Sequence, residues 1–336
     1  MEAGTLAANG ERSLPDQIRD TARRRPALIA AAILAAMVLA MIVVKGLHDV
    51  AQTGLTGLSL GAIYALGAVG LTLVYGILKL VNFAHGDFLT FGAYMAYVVN
   101  VTWGMPLVLG IFFAMATTAL LGVFFEKVMW GPMRARGAGL LQLLLMSIGL
   151  AFLLRALFQY VWSTEIRFLD VNVIETVEVF GLRIGRTSLV VLIVGIVVIV
   201  GIGLMLRYTL LGKRMRALSD NLELAETSGV DTSRVILYTW LFAGALAGLA
   251  GVMAAATTEV RPEFGFELLL PIFAAVILGG IGDAFGALAG GLVLGLIIEW
   301  STLFIEARWK VSTGFVALII VLIVRPQGIF GRARDI

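Results

Sequence analysis

The feature that most limits this chain is the repetition of long, nearly uncharged apolar runs. Residues 27–44 form one. Others lie at about 50–76, 88–102, 105–125, 140–162, 187–207, 235–257, 267–281, 285–305 and 311–324. A helix rises ~1.5 Å per residue, so about 20 apolar residues cross ~30 Å of hydrocarbon. The runs therefore predict an all-α, polytopic membrane helix bundle of about ten spans. The number falls to eight or nine if the short runs at 88–102 and 267–281 are re-entrant.

Composition agrees: 60% of residues are hydrophobic and 14% charged, and the mean hydropathy is +0.98. A soluble domain carries about a quarter charged residues. The 39 glycines against 7 prolines suit helices that approach closely in lipid. The chain has no cysteine, which excludes disulfides and thiolate metal sites, and its two histidines, His48 and His85, are too few for a His-rich site. No metal, cofactor, catalytic group or nucleic-acid partner is expected.

Residues 1–25 are polar, with Arg12, Arg19 and three arginines at 23–25. They read as a cytoplasmic tail ahead of a transmembrane domain at 26–336. A cleavable signal peptide is disfavoured, because the first run is long for a signal core and many spans follow. With the N-terminus inside, about 17 of the 25 Lys and Arg fall on the inner side and about 7 outside, as the positive-inside rule requires. Both termini are then cytoplasmic. The outer segment 163–186 alternates apolar and polar residues and predicts a strand pair or an amphipathic helix.

Small residues recur four apart at Gly57 and Gly61, Gly244 and Gly248, Gly282, Gly286 and Gly290, and Gly291 and Gly295. That spacing reads as helix packing. Two stretches look alike: Phe83-Ala-His-Gly-Asp87 and Phe264-Gly-Phe-Glu267 each hold an aromatic, a glycine and an acid ahead of a short apolar run. They suggest an inverted repeat of spans 2–5 and 7–10, with a pathway between the halves.

One polar segment, 208–234, does not belong to a simple bundle. Met215, Leu218, Leu222 and Ala225 recur at helical spacing, Ser219 or Asp220 is a candidate cap, and Gly229 is a stop. A helix lying on anionic lipid would be basic along its polar face. Here Asp220, Glu223 and Glu226 sit in the middle, which favours a protein partner.

At four places the chain resembles the permeases of branched-chain amino acid ABC importers. They are Gly57-Leu-Ser-Leu-Gly-Ala-Ile-Tyr64, then Val74 through Asn82-Phe-Ala-His85-Gly-Asp87 to Gly92-Ala-Tyr94, then Arg216 through Asn221 and Ala225 to Gly229, and the terminal Arg325-Pro-Gln-Gly-Ile-Phe-Gly331. The resemblance runs from about residue 50 to the end. It implies a permease in the inner (plasma) membrane of a bacterium, working with two ABC ATPase subunits, a second, related permease subunit and a periplasmic solute-binding protein in a lipid bilayer. ATP hydrolysis then falls to the partners. The ATPase-coupling residues implied are Arg214, Arg216, Asp220, Asn221, Glu223, Ala225, Glu226 and Gly229. Urea-type permeases of the family carry a long extra periplasmic region that this chain lacks, which favours amino acids over urea or amides.

Candidate pathway or gate residues are Ser59, Tyr64, Asn82, His85, Asp87 and Glu267. Against that stands a structural turn, with Asn82 and Asp87 capping the third span and His85 bonding a backbone carbonyl. Arg155 and Glu299 lie within spans and read as a solute or proton site, as buried pairs, or as snorkelling side chains. Glu126 and Lys127 read as interfacial anchors. An ion-coupled secondary transporter would need titratable groups clustered near the midplane, whereas the candidates here are scattered. No P-loop is present, so this chain does not itself hydrolyse ATP by P-loop chemistry.

Overall fold

The structure is a computed structural model that describes residues 26–172, 175–179, 181–280, 282–324 and 328. The tail at 1–25, and all of the 325–331 motif except Gly328, lie outside the described residues. Helix α1 (Pro26–Lys45) stands as a unit by itself. Its proline occupies the first helical turn, where a missing N–H costs nothing, and Gly46 at φ +88° ends it.

From Leu47 onward the chain forms a second compact unit. Its helices are α2 (Leu47–Leu78), α3 (His85–Tyr97), α4 (Leu107–Phe125), α5 (Gly131–Ala135), α6 (Leu140–Trp162), α7 (Arg186–Tyr208), α8 (Leu210–Asp220), α9 (Leu222–Thr227), α10 (Thr232–Ala255), α11 (Phe264–Gly279), α12 (Ala284–Ser301) and α13 (Lys310–Val324). A π-turn at Val98–Thr102 extends α3, and another at Glu126–Trp130 joins α4 to α5. Strands β1 (Thr176–Val179) and β2 (Leu182–Gly185) form an antiparallel hairpin, which decides the outer segment in favour of strands.

Among the described residues, six helices are long and apolar enough to cross a membrane: α2, the continuous α4–α5, α6, α7, α10 and α12. These six do not confirm the expected count of about ten. The doubtful runs are short for a physical reason, because α3 and α11 begin inside the bundle.

Helix α2 is the axis of the bundle, buried on all sides from Gly61 to Val74. It crosses α12 at glycines. A Cβ on Gly61 would lie 2.8 Å from Leu292 Cα, and one on Gly291 would lie 2.6 Å from Ala65 Cα, so larger residues would force the helices apart. The other small-residue pairs also mark helix contacts: Gly244 and Gly248 meet Thr118 of α4, and Gly286 and Gly290 meet α11. By contrast α6 buries only one stripe, made of Leu143, Ser147, Leu150, Ala151, Leu154 and Phe158.

After α2 the chain turns back at Lys79 (φ 52°) and re-enters the bundle without helical structure until His85. His85 Nε2 then lies 3.0 Å from the Gly67 carbonyl, about 16 Å up α2 from its end. Non-helical backbone at that depth needs partners. Ser147 Oγ accepts from the Phe83 N–H at 3.2 Å and lies 3.2 Å from the Val81 carbonyl, while Asn82 Oδ1 accepts from the Ala84 N–H at 3.1 Å.

Candidate functional site

The first turns of α3 and α11 touch. Thr90 Oγ1 accepts from the Gly265 N–H at 2.9 Å, and a Cβ on Gly86 would lie 2.5 Å from the Gly265 carbonyl oxygen. The two look-alike stretches thus meet in space, each opening a short helix after a long one. Only glycine at both positions permits the approach.

At this junction the pathway candidates separate. Asn82 is buried, and its Oδ1 bonds the Ala84 N–H while Nδ2 has no partner among the described residues. His85 is 1% exposed and held by Gly67. Asp87 does not cap α3. It is fully buried, neither carboxylate oxygen makes a hydrogen bond among the described residues, and Arg155 Nε of α6 lies 3.4 Å from its Oδ1. The Arg155 guanidinium also lies 4.3 Å from the Phe266 ring centroid and 5.8 Å from that of Phe152. Ser59 and Tyr64 sit elsewhere. Ser59 Oγ donates to the Ser188 carbonyl at 2.9 Å and ties α2 to α7, whereas Tyr64 is buried in α2. Glu267 is exposed and paired with Arg261 at 2.6 Å. Glu299 pairs with Lys310 at 2.8 Å, which resolves it as a partly buried ion pair between α12 and the start of α13.

The 208–234 segment is an elbow of two helices. Thr209 Oγ1 accepts from the Gly212 N–H and caps α8, and Asn221 Oδ1, in place of Ser219 or Asp220, accepts from the Leu224 N–H and caps α9. Gly229, at φ +82°, provides the stop. Met215, Leu218 and Ala225 are buried against the bundle, whereas Arg214, Arg216, Asp220, Asn221, Glu223, Glu226 and Gly229 are exposed. Leu222 and Leu224 are exposed beside them, although Leu222 stood on the expected buried face. The elbow is tied to the axial helix. Ser219 Oγ donates to the Gly76 carbonyl at 2.9 Å, and Lys79 Nζ donates to the same carbonyl at 2.7 Å and to the Ser219 carbonyl at 3.3 Å.

Sequence reasoning missed one site. Glu126 is 6% exposed and is no interfacial anchor: Arg134 clamps it and Trp240 Nε1 donates to it at 2.7 Å. Trp130 lies nearly parallel to Trp240, with centroids 6.3 Å apart. This network binds the α4–α5 turn to α10, the helix that leaves the elbow. Ser219 and Lys79 were likewise visible only as a candidate cap and a loop charge.

A bundle around an axial helix, with two half-depth helices meeting inside it and a charged elbow at one end, defines a multi-pass membrane permease. The family described as branched-chain amino acid transport system / permease component matches residues 53–324, and the chain belongs to it. It is 33% identical over 298 residues to the high-affinity branched-chain amino acid transport system permease protein LivH of Escherichia coli K12, covering 84% of this chain and 95% of that one. BraD of Pseudomonas aeruginosa, under the same description, is 30% identical over 295 residues, covering 84% and 95%. LivM of Escherichia coli K12 is 24% identical over 365 residues, covering 99% of this chain and 81% of LivM.

Proposed function

We propose that the chain is the membrane-embedded subunit of an ATP-driven importer of branched-chain or closely related amino acids, with the 208–234 elbow seated on an ATPase subunit. The observation that carries this reading is the elbow itself. Met215, Leu218 and Ala225 are buried against the bundle, the outer face presents both signs of charge with Leu222 and Leu224 between them, and Ser219 and Lys79 fasten the elbow to α2. A push on the elbow is thereby applied to the helix around which the others pack. Arg214, Arg216, Asp220, Asn221, Glu223 and Glu226 are the contact residues, while Ala225 and Gly229 hold the elbow's shape.

The excess of Lys and Arg on the elbow side supports a cytoplasmic elbow. The likeness to both LivH and LivM, two permease proteins named for branched-chain amino acid transport, supports a related chain as the second permease. A solute-binding protein delivers solute at the hairpin end. ATP closes the ATPase pair, the elbow moves, and the bundle alternates between two openings.

The test is reconstitution with the ATPase, the partner permease and the binding protein. Leucine-stimulated ATP hydrolysis should disappear when 215–230 is replaced by a Gly/Ser linker. Uptake by this chain alone, indifferent to ATP, would refute the proposal.

A further inference from the structure

We infer that Arg155 forms a solute-carboxylate subsite on the face between α6 and α11, held in place by Asp87 behind it. The inference rests on the importer reading above and gives that reading a point of contact with the solute.

Arg155 lies seven residues before the end of α6, about 10 Å inside the helix. A guanidinium at that depth is costly against lipid, so such groups face a partner or an aqueous path. Nε faces Asp87 at 3.4 Å without making a hydrogen bond among the described residues. The side chain is 15% exposed, so part of the guanidinium is left open. The guanidinium opens toward the exposed rings of Phe152 and Phe266, which line the same face.

Asp87 and Arg155 offset one another where the first turns of α3 and α11 meet, and each helix start adds about half a positive charge. Near the start of α11, Glu259 and Glu267 share Arg261, while Glu263 accepts from the neutral Gln159 at 2.8 Å and keeps its negative charge. The junction therefore presents both signs, as a zwitterion requires. A carboxylate would pair with the open side of Arg155, and the two aromatic rings would take an aliphatic side chain. The ligand class is a zwitterionic α-amino acid with an apolar side chain. Asp87 is a positioning residue that fixes the guanidinium and shares its charge.

The test uses the assembled importer with its ATPase, partner permease and binding protein. Arg155→Gln should lower leucine uptake about tenfold or more, the size expected for losing one charged contact. Binding-protein stimulation of ATP hydrolysis should persist. Arg155→Lys keeps the charge, guards against misfolding, and should raise KM for leucine. The double variant Asp87→Asn with Arg155→Gln removes the buried charge imbalance. If the pair is only structural, the double variant regains uptake, and that result overturns the inference; if Arg155 meets solute, uptake stays low. Phe152→Cys supplies the only thiol in a cysteine-free chain. Leucine should slow its modification by a thiol reagent during turnover, and equal rates with and without leucine also overturn the inference. Failure of the wild-type importer to take up leucine at all would overturn the functional reading and the subsite together, and is told apart by the wild-type control.

Discussion

Glu126, at the far end of α4, and Asp87, at the start of α3, are both buried carboxylates beside an arginine. Around Glu126 the protein has completed the work: the guanidinium of Arg134 clamps both oxygens and Trp240 Nε1 adds a third donor. Around Asp87 it has not, since the arginine stands off at 3.4 Å and neither oxygen makes a hydrogen bond among the described residues. A buried charge is tolerated when its partners are fixed and complete. The satisfied acid fits a structural joint, and the unsatisfied one fits the solute subsite proposed above.

Breaking Glu126 should cost the most. Glu126→Ala strands Arg134 and Trp240 and should destabilise the purified protein by about 3 kcal/mol, read as a lower melting temperature in detergent. A change below ~1 kcal/mol would erase the contrast. Trp240→Phe removes one bond to a charged acceptor and should cost about 2 kcal/mol in the same assay. Ser219→Ala removes one neutral hydrogen bond at the elbow, at about 1 kcal/mol. Its main effect should be on coupling: more ATP hydrolysed per leucine transported, measured in proteoliposomes. Asp87→Asn should be mildest in stability, at less than ~1 kcal/mol, because the lost attraction to Arg155 at 3.4 Å is offset by removing a buried carboxylate that makes no hydrogen bond among the described residues. It should nevertheless depress uptake. A large loss of stability from Asp87→Asn would make the two acids alike.

Much of this was legible in sequence, and what was not had a common cause. The spans at 140–162 and 187–207 appear as α6 and α7 almost to the residue, because each is one uninterrupted apolar run of spanning length. The deep starts of α3 and α11 were hidden. A short apolar helix with a returning strand of backbone has the same local composition as a short span. The elbow's outline was visible in its periodicity, but its cap was not, because Ser219, Asp220 and Asn221 are three adjacent polar residues and only the backbone decides which one turns. Glu126 looked like an anchor because its partners lie 8 and 114 residues away. Asp87 and Arg155 were each noticed but not joined, since no local pattern connects α3 to α6.

The meeting of Gly86 with Gly265 also sets an order of construction. Thr90 and its partner Gly265 are separated by 175 residues. A chain made from its N-terminus places α3 long before the helix that will cover its first turn exists. Until α10 and α11 arrive, the bare glycine face of α3 and the acid behind it have no completed environment. The first half is therefore an unfinished surface awaiting its closing piece, and a chain stopped short of α11 should be recognised by the cell as incomplete and degraded.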